Sequence, residues 1–247
     1  MTEELIVAPS LLAAGFQLDS ARGVDGVADW LHIDIMDNHF VPNRTIGVDE
    51  VRALRAVTAV PFDTHLMIVD PHRWAVAYVE TGSAHVTFHA EATDDPLGLA
   101  KDIRAAGASP GLAIDRDTPV EPYLELLPHF DLLLIMTIKA GFGGQEFLPH
   151  LLDKVRTARR HRDAGHLRLR LEVDGGIAED TIEQAAQAGA DTFVAGTSVF
   201  GAADPVAAVR RLRAMAHQAV RPPEQARAER APRRGAGEEE RGDQLRG

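Results

Sequence analysis

A histidine and an aspartate stand two apart in WLHIDIMD, at His32 and Asp34. Alternate residues of an extended chain share a face. With Leu31, Ile33 and Ile35 around them, the imidazole and the carboxylate are set to face a core together. A buried carboxylate is costly unless it is paired or bound to a cation. His65 in FDTHLM and Asp174 in LEVDGG have similar apolar surroundings. Two imidazoles and two carboxylates suit one divalent metal such as zinc, manganese, iron or cobalt. A hydrogen-bonded polar network without metal is the other reading of the same four residues. The chain has no cysteine, which excludes disulfides, thiolate metal sites and cysteine nucleophiles.

A second group of residues could hold an anion. Glycine-rich turns occur at Gly141-Phe142-Gly143-Gly144, at Gly175-Gly176 and at Gly196-Thr197. Glycine lets backbone N–H groups approach a phosphate closely, and a helix that starts after such a turn aims its positive end at it. No Arg or Lys stands in DGG or GTS, so amides and hydroxyls would hold the anion. A phosphorylated small molecule is the expected ligand.

These residues need a frame that brings them to one place. Eight short apolar runs, at 5–9, 30–36, 62–68, 85–90, 110–114, 132–138, 169–173 and 192–195, alternate with helix-like stretches. The stretches include VDEVRALRAV, DPLGLAKDIRAAG and TPVEPYLELL, and several open with Asp, Thr or Pro and close with Gly. Strand and helix in alternation imply a parallel sheet, and eight units fit a closed (β/α)8 TIM barrel. An open doubly wound sheet is the second choice, but its first turn would read G-x-G-x-x-G, and here it reads APSLLAAGF. In a TIM barrel the C-terminal strand ends carry the site. The chemically capable residues fall at those ends. The connection after the first strand is short, so its helix must be small.

The composition of the 247 residues is that of a globular protein, 45% apolar and 26% charged, and long enough for one such barrel. The formal charge of −11 argues against nucleic acid or an anionic membrane surface as the main partner. The N-terminus has no signal-peptide pattern and no apolar run could span a bilayer, so a cytoplasmic location is expected. We expect residues 1–219 to form the barrel. Residues 220–247, dense in Arg, Glu, Gly and Pro, should form a disordered tail.

The segments APSLLAAGF, WLHIDIMDNHFVPNRTIG, FDTHLMIVDP, FHAEA, LLIMTIKAGFGGQEFLP, LEVDGGI and ADTFVAGTSVFG resemble, in order, the ribulose-phosphate 3-epimerase family. The resemblance runs from Ile6 to about Pro205. It implies a TIM barrel that binds one divalent metal and a pentulose 5-phosphate. Carried over by position, the metal ligands are His32, Asp34, His65 and Asp174, and Asp34 and Asp174 are also the acid–base pair. Ser10, His65, Gly141, Phe142, Gly143, Gly144, Gly175, Gly176, Gly196 and Thr197 would meet the substrate. Met36, Met67 and Met136 resemble the family's methionines at the barrel mouth, although plain core filling also accounts for them. A homo-oligomer is a further implication.

The implied reaction is epimerisation at C3 of D-ribulose 5-phosphate to D-xylulose 5-phosphate through a cis-enediolate. The rivals are a hexulose 6-phosphate (allulose 6-phosphate) 3-epimerase and a silent phosphosugar-binding paralogue. Three positions depart from the family pattern. Gly15 stands where Asp is usual, Asn38 where Gly is usual, and Lys139-Ala140 where an acidic residue or Asn precedes Pro. They are expected in loops near the substrate and so bear on sugar specificity. Lys139 has chemical potential of its own, since a lysine at a strand end can form a Schiff base.

Overall fold

The computed structural model describes residues 4–220. Eight strands form one parallel sheet: β1 (Ile6–Pro9), β2 (Leu31–Met36), β3 (Phe62–Met67), β4 (Ser83–His89), β5 (Ser109–Ile114), β6 (Leu132–Met136), β7 (Arg170–Asp174) and β8 (Thr192–Ala195). The order around the sheet is β1-β8-β7-β6-β5-β4-β3-β2. β1 and β2 meet through a single parallel bridge, Ser10 to His32, and with it the sheet comes round into a barrel. The expected fold is therefore the observed one, with strand ends shifted by one or two residues. The expected tail lies outside the described residues, apart from Val220, which is the last residue of the final helix.

The helices lie between the strands: α1 (Leu18–Gly23), α2 (Val48–Arg55), α3 (Pro71–Val79), α4 (Pro96–Ala106), α5 (Leu152–Gly165), α6 (Ile182–Ala188), α7 (Thr197–Phe200) and α8 (Pro205–Val220). Their ends follow from local chemistry. Pro96 opens α4 with a fixed φ, and the Asp95 carboxylate accepts the Gly98 N–H. Gly107 closes the helix in the left-handed region, where a side chain would be strained. One element differs from expectation: the EPYLELLPH segment forms a 3-10 run, Glu121–His129, instead of an α-helix. Pro128 inside it has no N–H to donate and its ring crowds the preceding turn, so an α-helical ladder cannot run through. As expected, the connection after β1 holds only a 3-10 turn, Leu11–Ala14, and the short α1.

Strand alternation sorts side chains into two cores. Outward residues such as Val7, Leu31, Ile33, Leu66, Leu112, Leu133 and Val173 pack under the helices. Inward apolar residues, among them Ile6, Ala8, Met36, Met67, Leu132, Leu134, Met136 and Val194, fill the barrel. The inward positions of β2, β3, β4 and β7 are the exception, because they carry buried His32, Asp34, Asp63, His65, Thr87, His89 and Glu172. A polar column through a barrel interior costs stability unless its members satisfy one another. The column therefore marks where the molecule departs from simple packing.

Candidate active site

His32 and Asp34 lie on β2, His65 on β3 and Asp174 at the end of β7. The register pairs His32 with Asp63 and Asp34 with His65 on adjacent strands, which stacks the polar groups in layers. His32 Nε2 is 3.5 Å from Asp34 Oδ1 and 3.9 Å from Asp174 Oδ2. His65 Nδ1 is 3.8 Å and 3.6 Å from the same two oxygens. The four donor atoms all lie within 4.8 Å of one another. The barrel thus brings together the four residues that the sequence singled out from three separate strands.

Whether this set fits a cation is decided by the two ring nitrogens. His32 Nε2 and His65 Nδ1 are buried and have no hydrogen-bond partner among the described residues. A bare imidazole nitrogen in a core is expensive, and both are aimed at the same pair of carboxylate oxygens. Ligands at about 2.0–2.1 Å in a tetrahedral arrangement stand roughly 3.4 Å apart, close to these spacings. The donor set fits one divalent cation.

The surrounding charges agree with that fit. Burial acts against an imidazolium at His32, yet the Asp34 and Asp63 carboxylates outweigh it and raise its pKa well above the usual value. Burial likewise opposes charge on Asp34, but His32 and His65 hold its carboxyl far below the ordinary carboxylate range. The cluster has a surplus of negative charge that must be balanced by protons or by a cation.

The histidines are held from behind. His32 Nδ1 is 2.6 Å from Asp63 Oδ2, the carboxylate–imidazole arrangement that orients a ligating histidine. Beside it, burial and the charge of Asp63 push the Glu172 carboxyl well above its usual pKa. Neither Asp63 nor Glu172 is among the residues expected in the site from sequence. Their signal was present, because D-x-H in FDTHLM and E-x-D in LEVD place a second polar group inward on the same strand. On the open side, Ser10 Oγ donates to Asp34 Oδ2 at 2.7 Å.

Above this cluster lies a cavity of about 390 Å3. Ser10, Gly141, Phe142, Gly143, Gly144, Gly175, Gly176, Gly196 and Thr197 line it together with Asp34 and Asp174. Met36, Met67, Met136 and Ile138 supply an apolar wall. His32 and His65 are fully buried and form no part of that wall, so His65 reaches the cavity only through the carboxylates. The Gly175-Gly176 turn has no room for side chains. Gly175 (φ 119°) would place a Cβ 2.2 Å from Ile138, and Gly176 (φ 67°) would place one 2.8 Å from the Phe147 backbone.

None of the residues at the three departures, Gly15, Asn38 and Lys139-Ala140, lines this cavity. Gly15 (φ 60°) caps the 3-10 turn after β1, and Asn38 (φ 64°) takes the left-handed conformation that Asn tolerates better than most residues. Lys139 is exposed and lies outside the cavity. Lys139-Ala140 joins the lining residues Ile138 and Gly141, and the Lys139 carbonyl accepts from the Gln145 side chain at the cavity rim.

The model of the "Ribulose-phosphate 3 epimerase family" matches residues 6–200. The chain belongs to this family. It is 59% identical over 213 residues to ribulose-phosphate 3-epimerase of Mycobacterium bovis, which covers 85% of this chain and 93% of that protein. It is 44% identical to the enzyme of the same name from Eremothecium gossypii, covering 81% of this chain and 87% of that protein. Among solved structures, a ligand complex of KGPDC from Streptococcus mutans superposes with a TM-score of 0.67 at 17% identity, over 87% of this chain and 99% of that one. That last likeness concerns the barrel alone. Among the described residues no helix is long and apolar enough to cross a membrane.

Proposed function

We propose that the chain epimerises D-ribulose 5-phosphate and D-xylulose 5-phosphate at C3, with Asp34 and Asp174 as the two proton-transfer groups. The observation that carries the reading is the pair of carboxylates from β2 and β7 meeting at the base of one cavity, over two orphaned imidazole nitrogens. Inverting a carbon beside a ketone requires removing a weakly acidic proton from one face and returning one to the other. One base serves both faces poorly, whereas two carboxylates separated around a barrel serve one face each.

Asp34 is held ionised and is suited to take the C3 proton of the ribulose form. Its Oδ1 faces the imidazoles, which leaves Oδ2, held by the Ser10 hydroxyl, to receive the proton. Asp174 delivers a proton from the opposite side, and the roles exchange in reverse. His32, Asp34, His65 and Asp174 would hold the divalent cation, which when bound supplies Lewis-acid stabilisation of the cis-enediolate. The N2O2 donor set suits zinc, iron, manganese or cobalt. The methionine wall excludes water from the flat enediol, and the glycine turns and Thr197 take the phosphate.

Proton–deuterium exchange at C3 of D-ribulose 5-phosphate in heavy water, with and without added divalent metal, tests the reading. Exchange accompanied by formation of xylulose 5-phosphate is expected. Binding without exchange would replace the enzyme with a phosphosugar-binding protein. Faster turnover of a hexulose 6-phosphate would transfer the same chemistry to the longer sugar.

A further inference from the structure

The second imidazole of the cluster is anchored differently from the first. His65 Nε2 faces another histidine, with His89 Nε2 at 2.9 Å. The two rings stack at an interplanar angle of 25°, and Phe40 covers the outer ring. The other nitrogen of that ring, His89 Nδ1, lies 3.2 Å from Glu91 Oε2. The Glu91 Oε1 atom accepts the Asp115 N–H at 2.9 Å, which fixes the carboxylate at the end of β4.

Each atom in this row has one role once the first is set. His65 Nδ1 must offer a lone pair to the cation, so its proton sits on Nε2. That N–H needs an acceptor, and the atom in reach is His89 Nε2. A ring whose Nε2 accepts carries its proton on Nδ1, and that proton is donated to Glu91. We propose that His89 and Glu91 are positioning residues for the metal centre: the row Glu91–His89–His65 locks His65 in the tautomer that presents a bare Nδ1. This inference rests on the proposed cation site and extends it by two residues.

The row does for His65 what Asp63 does for His32, with one ring inserted. An imidazole relays the orienting acceptor over a distance that a carboxylate on β4 could not bridge alone. Glu91 is suited to end the row, since burial opposes its charge but hydrogen bonds from His89, Thr118 and the Asp115 amide lower its pKa to about 2. Loss of the inner acceptor would strand the His65 Nε2–H in a fully buried place and favour the other tautomer, whose Nδ1–H blocks the cation.

The test compares His89→Leu, Glu91→Ala and His89→Gln in the full chain. Zinc affinity is read by competition with a chromogenic chelator, and the His65 tautomer is read by long-range 1H–15N NMR of the zinc-loaded protein. His89→Leu should weaken zinc binding about 10–100-fold, the range for lost orienting partners of metal ligands. Glu91→Ala should weaken it by a smaller factor. His89→Gln, whose amide oxygen can accept the Nε2–H, should recover most of the affinity and keep the Nε2–H signal.

Zinc binding and His65 signals in both His89→Leu and Glu91→Ala that match the parent would overturn the inference while leaving the cation site standing. A parent chain that does not bind zinc would overturn both. If His89→Leu fails to fold, Glu91→Ala decides by itself.

Discussion

Asp34 on β2 and Asp174 on β7 are three strands apart around the barrel, yet each turns one carboxylate oxygen toward the same two imidazole nitrogens at 3.5–3.9 Å. The other oxygen of Asp34 is taken up by Ser10. Asp34 therefore has one oxygen facing the cluster and one bonded elsewhere. In the proposed function this division would let one residue contribute a ligand atom and also move a proton.

Replacing either aspartate should abolish turnover but should not abolish all chemistry. Asp34→Asn and Asp174→Asn should each lower kcat by about 1,000-fold or more, with far-ultraviolet circular dichroism unchanged. Asp174→Asn should still exchange the C3 proton of ribulose 5-phosphate with solvent, because Asp34 can remove and return it on one face. Asp34→Asn should show the mirror behaviour, with exchange from xylulose 5-phosphate only. Wild-type turnover in either purified variant would end the two-carboxylate scheme.

Removal of the cation should be reversible. Prolonged chelation should abolish epimerisation, and return of zinc, manganese, iron or cobalt should restore it. The loaded protein should also melt at a higher temperature than the stripped one, since a ligand that binds only the folded state stabilises it. Equal activity and equal melting before and after chelation would leave the two bare nitrogens without an explanation.

The turn after β7 should be intolerant of any side chain. Gly176→Ala adds a carbon 2.8 Å from the Phe147 backbone at a φ of 67°. The combined strain and clash should cost about 2–4 kcal/mol of stability. Where the variant remains folded, KM for the phosphorylated sugar should rise more than kcat falls. A denaturant melt and a kinetic comparison measure both effects.

Asp37 gives a pH-dependent test away from the chemistry. Its carboxylate accepts the N–H groups of His39, Phe40 and Val69, which joins the loops after β2 and β3. Burial opposes its charge, but these three bonds lower its pKa below the ordinary 3.8. The stabilisation is therefore fully present above about pH 3.8 and is lost as pH falls through the depressed value. Asp37→Ala should cost roughly 1 kcal/mol at neutral pH. The gap from the parent should close as the pH drops below 4, and a gap that stays constant across that range would show that the ionised form has no special role.

The frame and the His32–Asp34 pair were legible in the sequence because each was written with a period, whereas His65 and Asp174 stood out by their apolar flanks and by the family resemblance. Strand runs alternate with capped helices, and His32 and Asp34 differ by two positions. Pairings between strands were not legible. His65 meets His89 across β3 and β4 through a register that no local pattern encodes. Asp63 and Glu172 were hidden for a different reason, since each sits one alternation below a more conspicuous residue of its own strand. The 3-10 run at Glu121–His129 escaped because its apolar spacing suits a helix while Pro128 forbids an α-helical one.

The lone bridge between β1 and β2 has a consequence of its own. Every other neighbouring pair of strands is held by a ladder, so this join is the place where the cylinder would unzip. The bridge is made by Ser10 and His32, of which the first hydrogen bonds to Asp34 and the second belongs to the His32–Asp34–His65–Asp174 cluster. In the proposed function the groups that hold Asp34 and the cation are thus also the clasp of this seam, and a filled site would fasten the whole cylinder shut.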